Sequence, residues 1–176
     1  DADAGTEWSA SEKALDRAIA LDPSYVMTWA SRGRTRTRRA AHTMSLAGDP
    51  SADFRTAEQD FAESLRREGN YGGGTWSHRG DLRAHRALWS LRSGLAADAD
   101  FAAAEDDFGQ ALDKQSADGG WASLYRGVMR TWRGRAAMQE GDDPVPLWAQ
   151  AEQDLAAAEK RLSEVAELWL RKGQLH

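Results

Sequence analysis

Arginine is the residue type whose spacing in this chain most clearly suggests chemistry. Arginines separated by four and then three residues occur three times, as Arg32/Arg36/Arg39, Arg79/Arg83/Arg86 and Arg126/Arg130/Arg133. On a helix, which turns by about 100° per residue, the members of each set lie within about 60° of one another and form one stripe. Guanidinium groups bind carboxylates and phosphates through paired hydrogen bonds. The stripes therefore predict either a basic surface for an acidic or phosphorylated partner, or a ladder of internal ion pairs.

Acidic residues recur in step with the arginines, which favours the internal ladder. The arginine sets are 47 residues apart (79 − 32 and 126 − 79), and acids repeat at the same interval, as Glu58/Glu105/Glu152 and Asp60/Asp107/Asp154. Trp29 also lies about 20° from Arg36 on the helical wheel, so the stripe overlaps a face that should be packed. Such a ladder would fix the register of the helices more than it would add stability.

No other group of reactive residues stands out, so we expect a protein that is not an enzyme and needs no cofactor. His78 and His85 are seven residues apart on one helical face, but no third ligand follows at metal-binding spacing, and cysteine is absent. The net charge of −5 argues against nucleic acid as a partner. No apolar stretch approaches the roughly 20 residues that span a membrane. The cellular compartment stays open, with the cytoplasm favoured.

The 47-residue interval extends beyond the arginines and predicts the fold. Glycine follows the first arginine of each set, at Gly33, Gly80 and Gly127. Self-similarity at this period is typical of helical solenoids, in which each unit buries its apolar face on its neighbours. Two kinds of turn-forming segment alternate within each period, and glycines such as Gly48, Gly94 and Gly141 are expected to end helices. We predict an all-α fold with core tryptophans and helices at 6–21, 25–47, 52–68, 75–94, 99–115, 121–140, 145–161 and 164–174.

Each unit resembles a tetratricopeptide repeat. The segments Trp29-x₂-Arg32-Gly33 and Ala57-x₃-Phe61 match the two halves of that motif, and Trp76 and Ala104 begin the corresponding segments one unit later. The period is longer than the usual 34 residues, and arginine replaces the tyrosine of the motif. The resemblance implies one domain over 1–176, a short right-handed α-solenoid of antiparallel hairpins. It comprises a half-repeat at 6–21, repeats at 25–68, 75–115 and 121–161, and a terminal helix at 164–174. Because the first residue is Asp1, we expect a fragment of a longer chain.

The resemblance also implies a function. First helices of such repeats line a concave groove that holds a partner peptide or helix, and carrying over its positions gives a candidate site: Arg34, Arg38, His78, Asp81, His85, Tyr125 and Trp132. This mixture of basic and aromatic residues suits an acidic protein partner with a hydrophobic anchor. Two other interpretations remain open, an idle solvated face and an intramolecular regulatory or spacer domain of a larger signalling enzyme such as a kinase. The terminal half-repeats, Thr6–Leu21 and Ser163–His176, would also allow a homodimer.

Overall fold

The computed structural model describes residues 2–68, 73–114 and 119–162, and it confirms the all-α fold. Within these residues the regular elements are seven helices, with no strand. No helix among them combines the length and apolar character needed to cross a membrane. The predicted helix at 164–174 lies outside the described residues. The helices are α1 (Ala2–Leu21), α2 (Val26–Ser45), α3 (Ser51–Glu68), α4 (Gly73–Arg92), α5 (Asp98–Asp113), α6 (Gly119–Glu140) and α7 (Val145–Leu162).

Successive helices pair into three hairpins. The most extensive packing is between α2 and α3, between α4 and α5, and between α6 and α7, so each hairpin corresponds to one unit of the sequence. Neighbouring hairpins meet through their first helices, because α4 packs against both α2 and α6, and each second helix also packs against the first helix that follows it. In the described part of the chain, no comparable packing joins α3 to α5 or α5 to α7. The first helices therefore form a row, and α1 packs against α2 as each second helix packs against the first helix that follows it.

A glycine on the first helix of each hairpin allows the second helix to pack closely. A Cβ atom added to Gly33 would lie 2.9 Å from the ring of Phe61, and one added to Gly80 would lie 2.7 Å from the ring of Phe108. At Gly127 the corresponding neighbour is Leu155, at 3.0 Å. The first two distances are shorter than a Cβ atom tolerates, and the third would require Leu155 to shift by a few tenths of an ångström, so each glycine and its facing Phe or Leu act as a single packing device.

Phenylalanine and alanine, not tryptophan, form most of the buried core. The largest fully buried side chains include Phe61, Phe101 and Phe108, which pack among alanines of the facing helices. Trp76, Trp89 and Trp132 are only partly buried and pack against the outside of these clusters. The prediction that the tryptophans are core residues is therefore wrong for these three.

The turns within the hairpins follow the 47-residue interval, with one difference from the prediction. The residue with positive φ after the first helix is Gly94 (φ 69°) in the second hairpin and Gly141 (φ 89°) in the third. In the first hairpin this position is Ala47 (φ 56°). Gly48 was predicted to have this role, but it comes one residue later, and its N–H bonds the carbonyl of Thr43 (2.9 Å). The first hairpin thus places a residue with a Cβ atom in a conformation that favours glycine.

Candidate functional site

The arginine stripe of α2 is neutralised by buried and half-buried carboxylates. Asp60 of α3, whose side chain is only 2% exposed, accepts hydrogen bonds from Nε and Nη2 of Arg32 (3.0 and 2.6 Å) and from Nη1 of Arg36 (2.8 Å). Arg32 also binds Asp16 of α1 (2.6 Å), and Arg36 binds Glu12 of α1 (2.6 Å). Each guanidinium group is therefore shared between two carboxylates on two neighbouring helices.

The same arrangement recurs in the next unit and in part of the third. The first arginine of each set binds an aspartate 28 residues later, within its own hairpin. The second binds that aspartate and a glutamate from the preceding second helix, so it joins one unit to the next. The third arginine of the first two sets binds an aspartate 14 residues later. These ion pairs include Arg79–Asp107, Arg83–Glu58, Arg86–Asp100, Arg126–Asp154 and Arg130–Glu105.

The ladder has two exceptions, both at the third hairpin. Leu147 stands where the repeat places Asp53 and Asp100, and no ion pair of Arg133 is found among the described residues. Glu152 was predicted to be an arginine partner, but its side chain is exposed and forms no ion pair within that same part of the chain. The other predicted acidic partners do bind arginines.

Ion pairing favours the charged forms of several ladder groups, although burial raises the pKa of the Asp107 carboxyl. Burial disfavours ionisation of Glu12, but hydrogen bonds from Arg39 and Arg36 outweigh it, so the pKa of Glu12 falls below its ordinary value. The hydrogen bond to Asp53 is the largest influence on Arg39 and raises the pKa of its guanidinium group. Burial opposes the charge of Arg83, yet the hydrogen bond to Glu58 and the nearby carboxylates raise its pKa. Paired in this way, the ladder arginines are engaged within the fold and are poor candidates for binding a partner.

A separate cleft lies on the row of first helices, and we call it the aromatic cleft. Its volume is about 320 Å³, and its lining residues come from α1, α2, α4 and α6. It contains five of the seven residues predicted for the groove: Arg38, Asp81, His85, Tyr125 and Trp132. The remaining lining residues are Trp8, Thr37, Ala41 and Val128. Residues far apart in sequence thus converge on one concave site.

Aromatic contacts organise the wall formed by α4 and α6. The imidazole of His85 meets the ring of Trp132 edge-on, with the centroids 5.2 Å apart. Nδ1 of His85 lies 2.9 Å from the carbonyl oxygen of Asp81 and 3.2 Å from its Oδ1, which orients the imidazole. On the opposite wall, the indole N–H of Trp8 is buried and has no hydrogen-bond acceptor among the described residues.

Arg34 and His78 were predicted for the groove but do not line the aromatic cleft. Arg34 is exposed on α2, one turn before Arg38, and neither arginine forms an ion pair with another described residue. His78 lies beside the cleft, with its ring 6.4 Å from that of Tyr125. Trp8 was missed, because it belongs to the terminal half-repeat and has no equivalent groove position in the other units. Its large aromatic side chain near the first helical turns was the only sequence signal.

Neither a metal-binding group of residues nor a similar known protein indicates a role for the aromatic cleft. In the described ranges 2–68, 73–114 and 119–162, no group of three or more His, Asp or Glu residues could hold a metal ion. No protein-family model, curated protein or solved structure matches the chain. The geometry of the site is therefore the basis for a functional assignment.

Proposed function

We propose that this protein is a non-catalytic scaffold, resembling tetratricopeptide repeats, that binds a peptide or helix of a partner protein in the groove along α2, α4 and α6. The observation that carries the proposal is the aromatic cleft. Its volume, about 320 Å³, falls near the lower end of the range of ligand pockets, roughly 300–1,000 Å³. Trp8, Tyr125 and Trp132 give it the aromatic surface that dominates the energy of many protein interfaces. It suits one large apolar side chain as an anchor.

The charges beside the cleft favour an acidic residue next to that anchor. Arg38 lies at the cleft and Arg34 one turn away, and both are exposed. They differ in this respect from the paired arginines of the ladder, because their guanidinium groups remain accessible to a carboxylate. An exposed ion pair adds little affinity, but it steers association and selects among partners. A peptide with an acidic residue followed by an aromatic or aliphatic residue is thus the best match.

The experiment is selection from a displayed library of random peptides. We expect the protein to enrich sequences that combine Asp or Glu with a large apolar residue. Trp132→Ala should lose the apolar preference, and Arg38→Glu should lose the acidic preference without loss of helicity. Arg92→Ala is the matched control, since Arg92 is exposed at the end of α4 and outside the aromatic cleft. It should select the same peptides as the unchanged protein.

Two results would contradict the proposal. One is the absence of any enriched sequence, and the other is the same enrichment by Trp132→Ala and Arg38→Glu as by the unchanged protein. The first result would favour the alternative, a regulatory or spacer domain within a larger protein. The second would move the binding site to another surface.

A further inference from the structure

A second cleft lies between the turn of the second hairpin and the turn of the third. We call it the turn cleft. Its volume is about 330 Å³, and it shares no residue with the aromatic cleft. Apolar side chains from both hairpins line it, among them Leu91, Leu95, Phe101, Ala136 and Leu147. Leu95 is 55% exposed, which is unusual for a large apolar side chain at the edge of a cavity.

Two departures from the repeat distinguish this cleft from the equivalent place between the first and second hairpins. At that earlier place, Trp89 lines a crevice beside Arg86, and Asp100 binds Arg86 at 2.5 Å. One interval of 47 residues later, alanine stands in place of the tryptophan, at position 136, and leucine in place of the aspartate, at position 147. The turn cleft therefore lacks the indole that occupies part of the earlier crevice and has a leucine in place of an aspartate, although its lining as a whole is more polar because of the charged residues around it. Arg133, the counterpart of Arg86, lines it without an ion pair to any described residue.

The charge around the turn cleft is mainly negative. Asp98, Glu140, Asp142 and Asp143 line it together with the single cation Arg133. All four carboxylate residues are exposed. A partner that places an apolar side chain on this floor brings its flanking residues close to these carboxylates. Complementarity then requires Lys or Arg on those flanks, and like charges would be repelled.

We infer that the turn cleft is a docking site for a basic segment of a partner protein that inserts one apolar side chain between the second and third hairpins. This inference is independent of the function proposed above, which concerns a different surface and the opposite charge. The apolar floor would provide most of the affinity. The acidic rim would provide selectivity and dependence on salt.

The test uses a fluorescein-labelled hexapeptide in which Leu-Phe is flanked on each side by two lysines, and the same peptide with glutamates in place of the lysines. We expect the lysine peptide to bind at least about tenfold more tightly by fluorescence anisotropy. Ala136→Trp, which restores the residue of the preceding unit, should weaken that binding by about tenfold or more. The double variant Glu140→Gln/Asp142→Asn should weaken it as well and reduce its dependence on salt.

Two controls separate this site from general attraction to an acidic protein and from the aromatic cleft. The double variant Asp106→Asn/Glu152→Gln changes the net charge equally at exposed positions away from the turn cleft, and it should bind as the unchanged protein does. Trp8→Ala, a change in the aromatic cleft at a residue outside the core clusters, should also leave binding of the lysine peptide unchanged. If Ala136→Trp loses helicity, the double variant Glu140→Gln/Asp142→Asn alone decides the result. The inference would be overturned if the two peptides bind equally, or if this double variant and its control have equal effects.

Discussion

The ion-pair ladder makes a quantitative prediction about Asp60. Asp60→Asn keeps the shape of the side chain but removes the charge that Arg32 and Arg36 share. Breaking a buried ion pair by removing one partner lowers stability by about 3–5 kcal/mol. Each arginine keeps a second carboxylate, on Asp16 or Glu12, so we expect the lower end of that range, about 3 kcal/mol. For a domain of this length the midpoint of thermal unfolding should fall by about 6–12 °C.

The assay is unfolding by urea and by heat at neutral pH, with the loss of helix monitored by circular dichroism. Asp106→Asn is the matched control, because Asp106 is exposed and makes no ion pair with the described residues. Its unfolding free energy should change by less than about 0.5 kcal/mol. If Asp60→Asn loses under about 1 kcal/mol, the value typical of an exposed pair, the reasoning that the ladder is structural is refuted.

Three further predictions concern packing, the first turn and pH. Gly80→Ala should lower the unfolding free energy by about 1–3 kcal/mol, because the added methyl group meets the ring of Phe108. Gly109→Ala should instead raise it by about 0.5–1 kcal/mol, because a methyl group added there meets nothing within 4 Å. Ala47→Gly should raise the unfolding free energy measured in urea by about 0.5–1 kcal/mol, because φ is 56° at Ala47 and a Cβ atom disfavours that conformation. A lower unfolding free energy would show that the turn tolerates the Cβ atom. The pKa of Glu12 is lowered by its arginines, so the stability that its charge provides is present above the ordinary pKa of 4.5 and is lost as pH falls through the lowered value. The difference in unfolding free energy between the unchanged protein and Glu12→Gln should therefore be constant at neutral pH and shrink in acid, and a difference independent of pH would contradict this.

The helices and most partners in the ladder could be predicted from sequence, since both depend on regular spacing. Glycine and proline mark the ends of helices, and the predicted ends lie within a few residues of the observed ones. The carboxylates of Asp60, Asp107 and Asp154 could be matched to arginines because both recur at one interval. Periodicity identifies residues that share a helical face. The interval itself points to Ala47, which lies 47 residues before Gly94, but the preference of glycine for a left-handed conformation led to the prediction of Gly48 instead.

By itself, the sequence determined the all-α fold and most partners of the ion-pair ladder, because the residues that form helices, turns and ion pairs recur every 47 positions. Only the tertiary structure added Trp8 to the predicted residues at the aromatic cleft. Trp8 on α1 and Trp132 on α6 line the same cleft, although 124 residues (132 − 8) separate them. Their proximity depends on how several helices pack in succession, which no local spacing in the chain records.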